Sequence, residues 1–409
     1  MWLILTKLAW KNIFRNKRRT IIASTAMGIG LAALIFVDAF WMGMEENMIK
    51  TATASFLGDA QIHRQGFRDE REVSLTIQAL DKLTANLAEE PIVKRFTRRT
   101  LASGMITSPA SVGAVNLVGV YPPTERFLSK VDDAITEGVY FEGENSRDMV
   151  IGTKLADVLE IGLGHRVVVT VAQAESGELA QEMFRISGIY HFADEEMNRG
   201  MVFIRIDKAQ QMLAIGDGVH EIALKFTSVA HAQDSELPFW SAYTRHGNEA
   251  LSWTEILPQL EAILKMSQTS KYIMGIVLFG VVVFGIVNTL FMSLYERMFE
   301  FGVLRAVGSR PLRMAQVVLF EAGALAIVSI GLGAVLGYLV TVIFVRRGID
   351  YTGIEMMGVT MQEFLYPIMA IRQFIVYPIW VFLFTIIAGL YPARYVAKMT
   401  PVDAMRRSF

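Results

Sequence analysis

The chain of 409 residues contains no cysteine. A disulfide framework, a thiolate metal site and a cysteine nucleophile are therefore excluded. That lack suits an exported domain, which must fold without mispaired thiols. The six histidines stand at positions 63, 165, 191, 220, 231 and 246, with no close metal-ligand spacing. No Gly-Lys pair occurs anywhere. Gly152 to Lys154 lacks the G-x-x-x-x-G-K-[ST] spacing that cradles phosphates, so the chain is not expected to hydrolyse a nucleotide by itself. Neither a G-x-S-x-G elbow nor an H-E-x-x-H pair is found. The expectation is a protein that is not an enzyme, without catalytic residue, cofactor or metal of its own. An excess of either charge is missing too. Lys and Arg number 39 and Asp and Glu 40, a net charge of −1, which gives no electrostatic reason to bind nucleic acid.

What the chain does have is apolar residues, 53% of the total, with a mean hydropathy of +0.38. That is too apolar for an ordinary soluble protein and too charged for one buried throughout in lipid. Membrane spans joined to a sizeable soluble domain satisfy both facts. A helical span needs roughly 20 apolar residues. Four segments qualify: 20–44, 271–295, 314–345 and 374–395. The first apolar run is longer than a signal-peptide core and has no small-residue cleavage site close behind it, so it reads as a span. Ahead of it, residues 1–19 read as an amphipathic helix. Lys7, Lys11, Arg15 and Arg18 recur at spacings of four, four and three and share one face. Such a helix either lies on the inner leaflet or simply anchors the topology. Basic residues also crowd 296–313 and 396–409, whereas 346–373 balances its charges. The positive-inside rule then places both termini and the 296–313 loop in the cytoplasm. Residues 45–270, and the short loop 346–373, fall on the other side.

The expected fold is an α-helical membrane protein with four transmembrane helices and a large α+β extracytoplasmic domain inserted between helices one and two. Within that domain, strands are expected at 60–64, 111–120, 166–171, 184–192, 200–206 and 220–226. Helices are expected at 80–87, 153–159, 207–213, 237–246 and 255–266, the last leading into the membrane.

The loop 296–313 reads ERMFEFGVLRAVGSRPLR. Glu296, Arg297, Glu300, Arg305, Arg310 and Arg313 are too many charges for hydrocarbon. Phe299, Phe301, Val303, Leu304 and Val307 are more apolar surface than a solvated linker needs. Two readings stay open: a docking surface, or an amphipathic hairpin lying in the headgroups. Just inside the third span, Glu321 needs a partner, and Arg313 or Arg310 is near in sequence. Asp38, near the outer end of the first span, is either a contact on a substrate path or between subunits, or a residue just above the hydrocarbon; the second is commoner.

Three stretches together resemble the FtsX/MacB-like permeases, the membrane subunits of type VII ABC transporters. LAWKNIFRNKRRT (8–20) is similar to their basic N-terminal helix. ERMFEFGVLRAVGS (296–309), with Phe320-Glu321-Ala322 after it, resembles their cytoplasmic coupling motif. YPARYVAKMTPVDAMR (391–406) resembles their C-terminal signature. Within the family, GDAQIHRQGF (58–67) and LSWTEILPQL (251–260) look most like the lipoprotein-releasing LolC/LolE type. The chain departs from the motif at Phe301, where an aliphatic residue is usual.

The resemblance implies a bacterial inner-membrane protein whose large domain is periplasmic. It implies a partner dimer of cytoplasmic ABC ATPases, which bind the ATP and Mg, and a second permease subunit, identical or related. A periplasmic lipoprotein carrier or adaptor is a further expected partner. The work is mechanotransmission: ATP-driven closure below the bilayer moves the domain above it. On this reading Glu296, Arg297, Glu300, Phe301, Leu304, Arg305 and Gly308 contact the ATPase. A lipid-facing substrate entrance would be lined by Phe36, Phe40, Trp41 and Met44, which serve equally as interfacial anchors. The implied function is release of lipoproteins from the inner membrane. The alternatives are a MacB-type efflux permease for peptides or small molecules and an FtsX-like regulator of a cell-wall hydrolase.

Overall fold

The structure is a computed structural model that describes residues 7, 10–11, 17–143, 145–192, 195–351, 355–356, 359–360 and 364–399. The helix expected ahead of the first span, apart from positions 7, 10, 11 and 17–19, lies outside these residues. The chain divides into two units, one of residues 1–47, 264–351 and 363–409, the other of 48–263 and 352–362.

The first unit is a helical bundle. Its long helices are α1 (Lys17–Ala52), α2 (Pro258–Glu296), α4 (Pro311–Arg347) and α5 (Gln373–Lys398), with the short α3 (Met298–Ala306) between α2 and α4. The four long ones are apolar and long enough to cross a bilayer. α1 and α2 reach well beyond the expected spans, because polar residues at those ends continue the helical ladder. Their core gathers Met27, Leu31 and Ile35 of α1 with Val282 and Ile286 of α2, Leu325 of α4 and Val381 of α5. The backbones of α1 and α4 meet at two glycines. A Cβ on Gly333 would stand 2.8 Å from the Gly28 carbonyl oxygen, so only glycine lets them approach.

The second unit is α+β. Its strands are β1 (Ala60–Arg64), β2 (Val93–Thr107), β3 (Val112–Val120), β4 (Ile135–Gly138), β5 (Asp148–Gly152), β6 (Arg166–Ala172), β7 (Leu179–Tyr190), β8 (Met201–Arg205), β9 (Glu221–Phe226) and β10 (Asn248–Ser252). The pairings β2–β3–β8–β5–β7–β6–β2 close a ring, which removes the open edges of those six strands. Ile106, Leu117, Ile151, Val169, Phe184 and Val202 fill it. From β2 the sheet continues through β9 and β1 to β10.

All six expected strands are present, with bounds adjusted by a few residues; β7 begins at Leu179 rather than at 184. The helices at Leu80–Glu89, Thr153–Leu159 and Ile206–Leu213 are where the pattern puts them. Four of these ten strands have no counterpart in the sequence reading, β2, β4, β5 and β10, and neither does the short antiparallel pair Glu355–Met356 and Val359–Thr360. β2 carries both subsheets. Its residues 93–99 pair with β9 and its residues 104–107 with β6. It was hidden because Lys94, Arg95, Arg98 and Arg99 break any apolar alternation. One of them points inward: Arg99 is fully buried, its Nε and Nη2 donating to the Glu125 carboxylate at 3.0 and 2.6 Å, and its Nη1 to Glu221 at 2.6 Å. The Phe56 ring, on the π-helical turn Thr53–Leu57 that follows α1, lies 3.7 Å from the guanidinium carbon.

Candidate functional site

The loop between the second and third spans is built by three local signals. α2 ends at Glu296, and Arg297 leaves helical geometry with φ −113° and ψ 9°. Met298 to Ala306 then forms α3. Gly308, at φ +95°, supplies the left-handed turn that closes it: its N–H donates to the Arg305 carbonyl and that of Ser309 to Leu304, each at 3.0 Å. Pro311 opens α4 at a first-turn position where its missing N–H costs nothing.

One side of α3 is held inside the bundle. Phe301 is 2% exposed and packs with Met298, Met314 and Val318 against Ala393 and Val396 of α5. Arg297 turns inward as well. Its Nε donates to Glu300 at 3.0 Å and its Nη1 to Glu321 of α4, while its guanidinium lies 5.2 Å from the Phe301 ring centre. Glu321 therefore finds its partner in Arg297, not in Arg310 or Arg313. The spacing along α4 favoured the last two; the restart of the helix at Met298 is what swings Arg297 across.

The other side is bare. Phe299, Val303, Leu304, Val307 and Leu312 are exposed, Val307 by 82% and Leu312 by 70%. Glu296, Arg310 and Arg313 surround them, all exposed. This is an apolar patch rimmed by charge on a braced helix. Of the seven residues expected to meet an ATPase, Glu296, Leu304 and Gly308 stand on this exposed side. Glu300 and Arg305 are half-buried, the Arg305 Nη1 donating to the Ser309 carbonyl at 3.4 Å. Phe301 and Arg297 face the bundle. Leu312 was missed, and it is the first residue after the proline, where an exposed leucine in a basic turn was the available signal.

Two family models match the chain. The MacB-like periplasmic core domain matches residues 20–236 and the FtsX-like permease C-terminal domain matches residues 272–401. The chain belongs to the FtsX-like permeases with a MacB-like periplasmic core. Among curated relatives of this permease, it is 24% identical over 270 residues to the lipoprotein-releasing system transmembrane protein LolC of Xylella fastidiosa, which covers 63% of the chain and 64% of that protein. The corresponding LolE of Haemophilus influenzae is 20% identical over 342 residues, 81% of each. The macrolide export ATP-binding/permease protein MacB 1 of Aeromonas hydrophila is 24% identical over 410 residues, 93% of the chain and 57% of that protein.

In this permease the four residues expected at a substrate entrance pack inside one chain. The Phe36 ring lies 5.2 Å from Phe344 of α4, and Phe40 lies 6.1 Å from Tyr351 and 6.3 Å from Trp41. Met44 is buried. Asp38 is buried too, at 3% exposure. Lys271 of α2 meets one oxygen at 2.9 Å and the Gln373 amide of α5 donates to the other at 3.0 Å.

Proposed function

We propose that this permease is the membrane subunit of an ABC transporter that releases lipoproteins from the bacterial inner membrane. A separate pair of cytoplasmic ATPases docks on residues 296–313 and supplies the work, with ATP and Mg bound in those partners. Both termini are then cytoplasmic and residues 45–270 periplasmic, and a second permease subunit, identical or related, completes the pair. The observation that carries the proposal is the exposed ridge of α3 and the turn after it, Phe299, Val303, Leu304, Val307 and Leu312, on a helix clamped to α4 through Arg297 and Glu321. A surface meant to transmit force must be both open to its partner and rigidly joined to what it moves. Lipoprotein release as the outcome is supported by the LolC and LolE relatives.

MacB-type export is the second reading, favoured by the near-complete span of the MacB relative along this chain. Depletion separates the two. Unreleased lipoproteins should accumulate in the inner membrane if release is the function. Sensitivity to drugs or peptides without that accumulation would support export, and a division defect alone would support a regulator of cell-wall hydrolysis. Arg305→Glu should leave the protein in the membrane while uncoupling ATP hydrolysis from transport. Normal transport by that variant removes the docking assignment.

A further inference from the structure

The bundle holds a cavity of about 650 Å³ between α1, α2 and α5. Its polar end is formed by the C-terminal part of α1 and the N-terminal parts of α2 and α5, so it lies toward the membrane face from which residues 48–263 emerge. Asp38, Glu45, Lys271 and Arg372 line that end. Asp38 and Lys271 form an ion pair at 2.9 Å, and the Gln373 amide and the Tyr377 hydroxyl also bond the Asp38 carboxylate. The other two are left over. Glu45 lies within electrostatic reach of Lys271 and Asp38, yet its Oε1 is buried and accepts no hydrogen bond among the described residues. Arg372 is exposed and forms no ion pair among the described residues.

Farther along the helices the lining changes to Phe279, Trp380 and Phe384. From Gln268 to Phe279 along α2 is roughly 16 Å, and from Arg372 to Phe384 along α5 roughly 18 Å, at 1.5 Å per residue. That is the depth of a lipid headgroup followed by the first part of its acyl chains. The side walls are open: Tyr272, Ile276 and Trp380 are each at least half exposed on the flank of the bundle, where the bilayer lies.

We propose that this cavity binds one phospholipid with an ammonium-phosphate headgroup, taken from the leaflet on the side of the external domain. A half-buried carboxylate with one buried, donor-free oxygen calls for a cation, and an exposed guanidinium lining the same cavity calls for an anion. A singly charged headgroup answers one and leaves the other uncompensated. A zwitterion answers both: its ammonium on Glu45, its phosphate on Arg372, its chains against Phe279, Trp380 and Phe384. The site belongs to one chain and needs neither a second permease nor any particular cargo.

The test is native mass spectrometry of the full chain in mild detergent, titrated separately with phosphatidylethanolamine, phosphatidylglycerol and water-soluble glycerophosphoethanolamine. One phosphatidylethanolamine should be retained per chain, about tenfold better than phosphatidylglycerol, as expected for one charge-assisted contact. Arg372→Ala and Glu45→Gln should each lower that retention by about tenfold, while Arg372→Lys, which keeps the charge, should retain most of it. Equal retention of the two lipids overturns the proposal. So does an Arg372→Lys variant that loses lipid as fully as Arg372→Ala, since pairing of charge is then not the cause. Competition by glycerophosphoethanolamine at equal strength would make the ligand a free aminophosphate and overturn its assignment as a lipid.

Discussion

The external domain carries its most consequential polar residues in its interior, and they set how it responds to acid. His220 is fully buried; the backbone N–H of Leu101 donates to its Nδ1 at 3.0 Å, and its Nε2 faces the Val73 carbonyl at 2.8 Å. One ring nitrogen accepts and the other donates, which fixes a neutral tautomer. A second proton would have to enter where Leu101 already donates. Phe67 stacks between His220 and His63, at 5.0 and 5.7 Å. Burial pushes the His63 imidazole from 6.5 down to about 3, and burial lowers His220 in the same way. Both are depressed, so the stability they contribute is whole above the ordinary imidazole pKa of 6.5. It is lost as pH falls from there toward 3. Asp59 and Glu249 work the other way, because burial raises both. The two histidines cross the window nearest neutrality and should dominate there. Hydrogen exchange on the full permease should therefore show protection of β1, β2 and β9 weakening from about pH 6.5 downward. His220→Gln should flatten that slope. Protection that stays level down to about pH 4.5 would contradict a buried neutral pair.

At the scale of elements, α3 has two sides that a mutation can tell apart. Removing Phe301 takes a side chain from a filled core, which for Phe→Ala costs about 3–5 kcal/mol. Val307 touches little of its own chain. Phe301→Ala should thus lower the thermal stability of the bundle and reduce the amount of protein in the membrane. Val307→Glu should leave both unchanged and abolish co-purification with the ATPase. If Val307→Glu still brings the ATPase down, the exposed ridge is not where the partner binds. That division was only half legible in the sequence. Charges between two apolar runs marked the loop, and glycine and proline marked its ends. Yet the helical spacing gathers Phe299, Val303 and Val307 on one face, the face a sequence reading would bury, and leaves Phe301 off it, so the pattern does not say which side is covered. Ala393 and Val396, almost a hundred residues on, decide it. The strands tell a similar story. β6 and β9 alternate or run apolar and were readable, whereas β2 was masked by its arginines. Strand order was not readable at all, since β1 pairs with β9 and β10 from the far end of the domain.

For the whole molecule, the proposed function needs a stiff connection from the coupling loop to the external domain, and the chain supplies one in α2. This helix runs unbroken from Pro258 to Glu296, roughly 58 Å at 1.5 Å per residue. Its first residues belong to the external unit, the rest to the bundle, and its last turn ends beside Arg297. A helix transmits a push only while its hydrogen-bond ladder resists bending, and glycine weakens that ladder by about 1 kcal/mol per residue relative to alanine. Lys265 and Met266 lie just inside the bundle unit, and Met266 is more than half exposed. Replacing both with glycine keeps the length and the register of α2 but softens it at one point. Replacing both with alanine removes the same side chains and keeps it stiff. In vesicles reconstituted with the ATPase, the glycine pair should hydrolyse ATP normally and release severalfold less cargo per ATP, while the alanine pair behaves as the parent does. Equal yield from the two variants would mean that force does not travel along α2. The external domain would then have to be moved through α1 or through contacts with a second subunit.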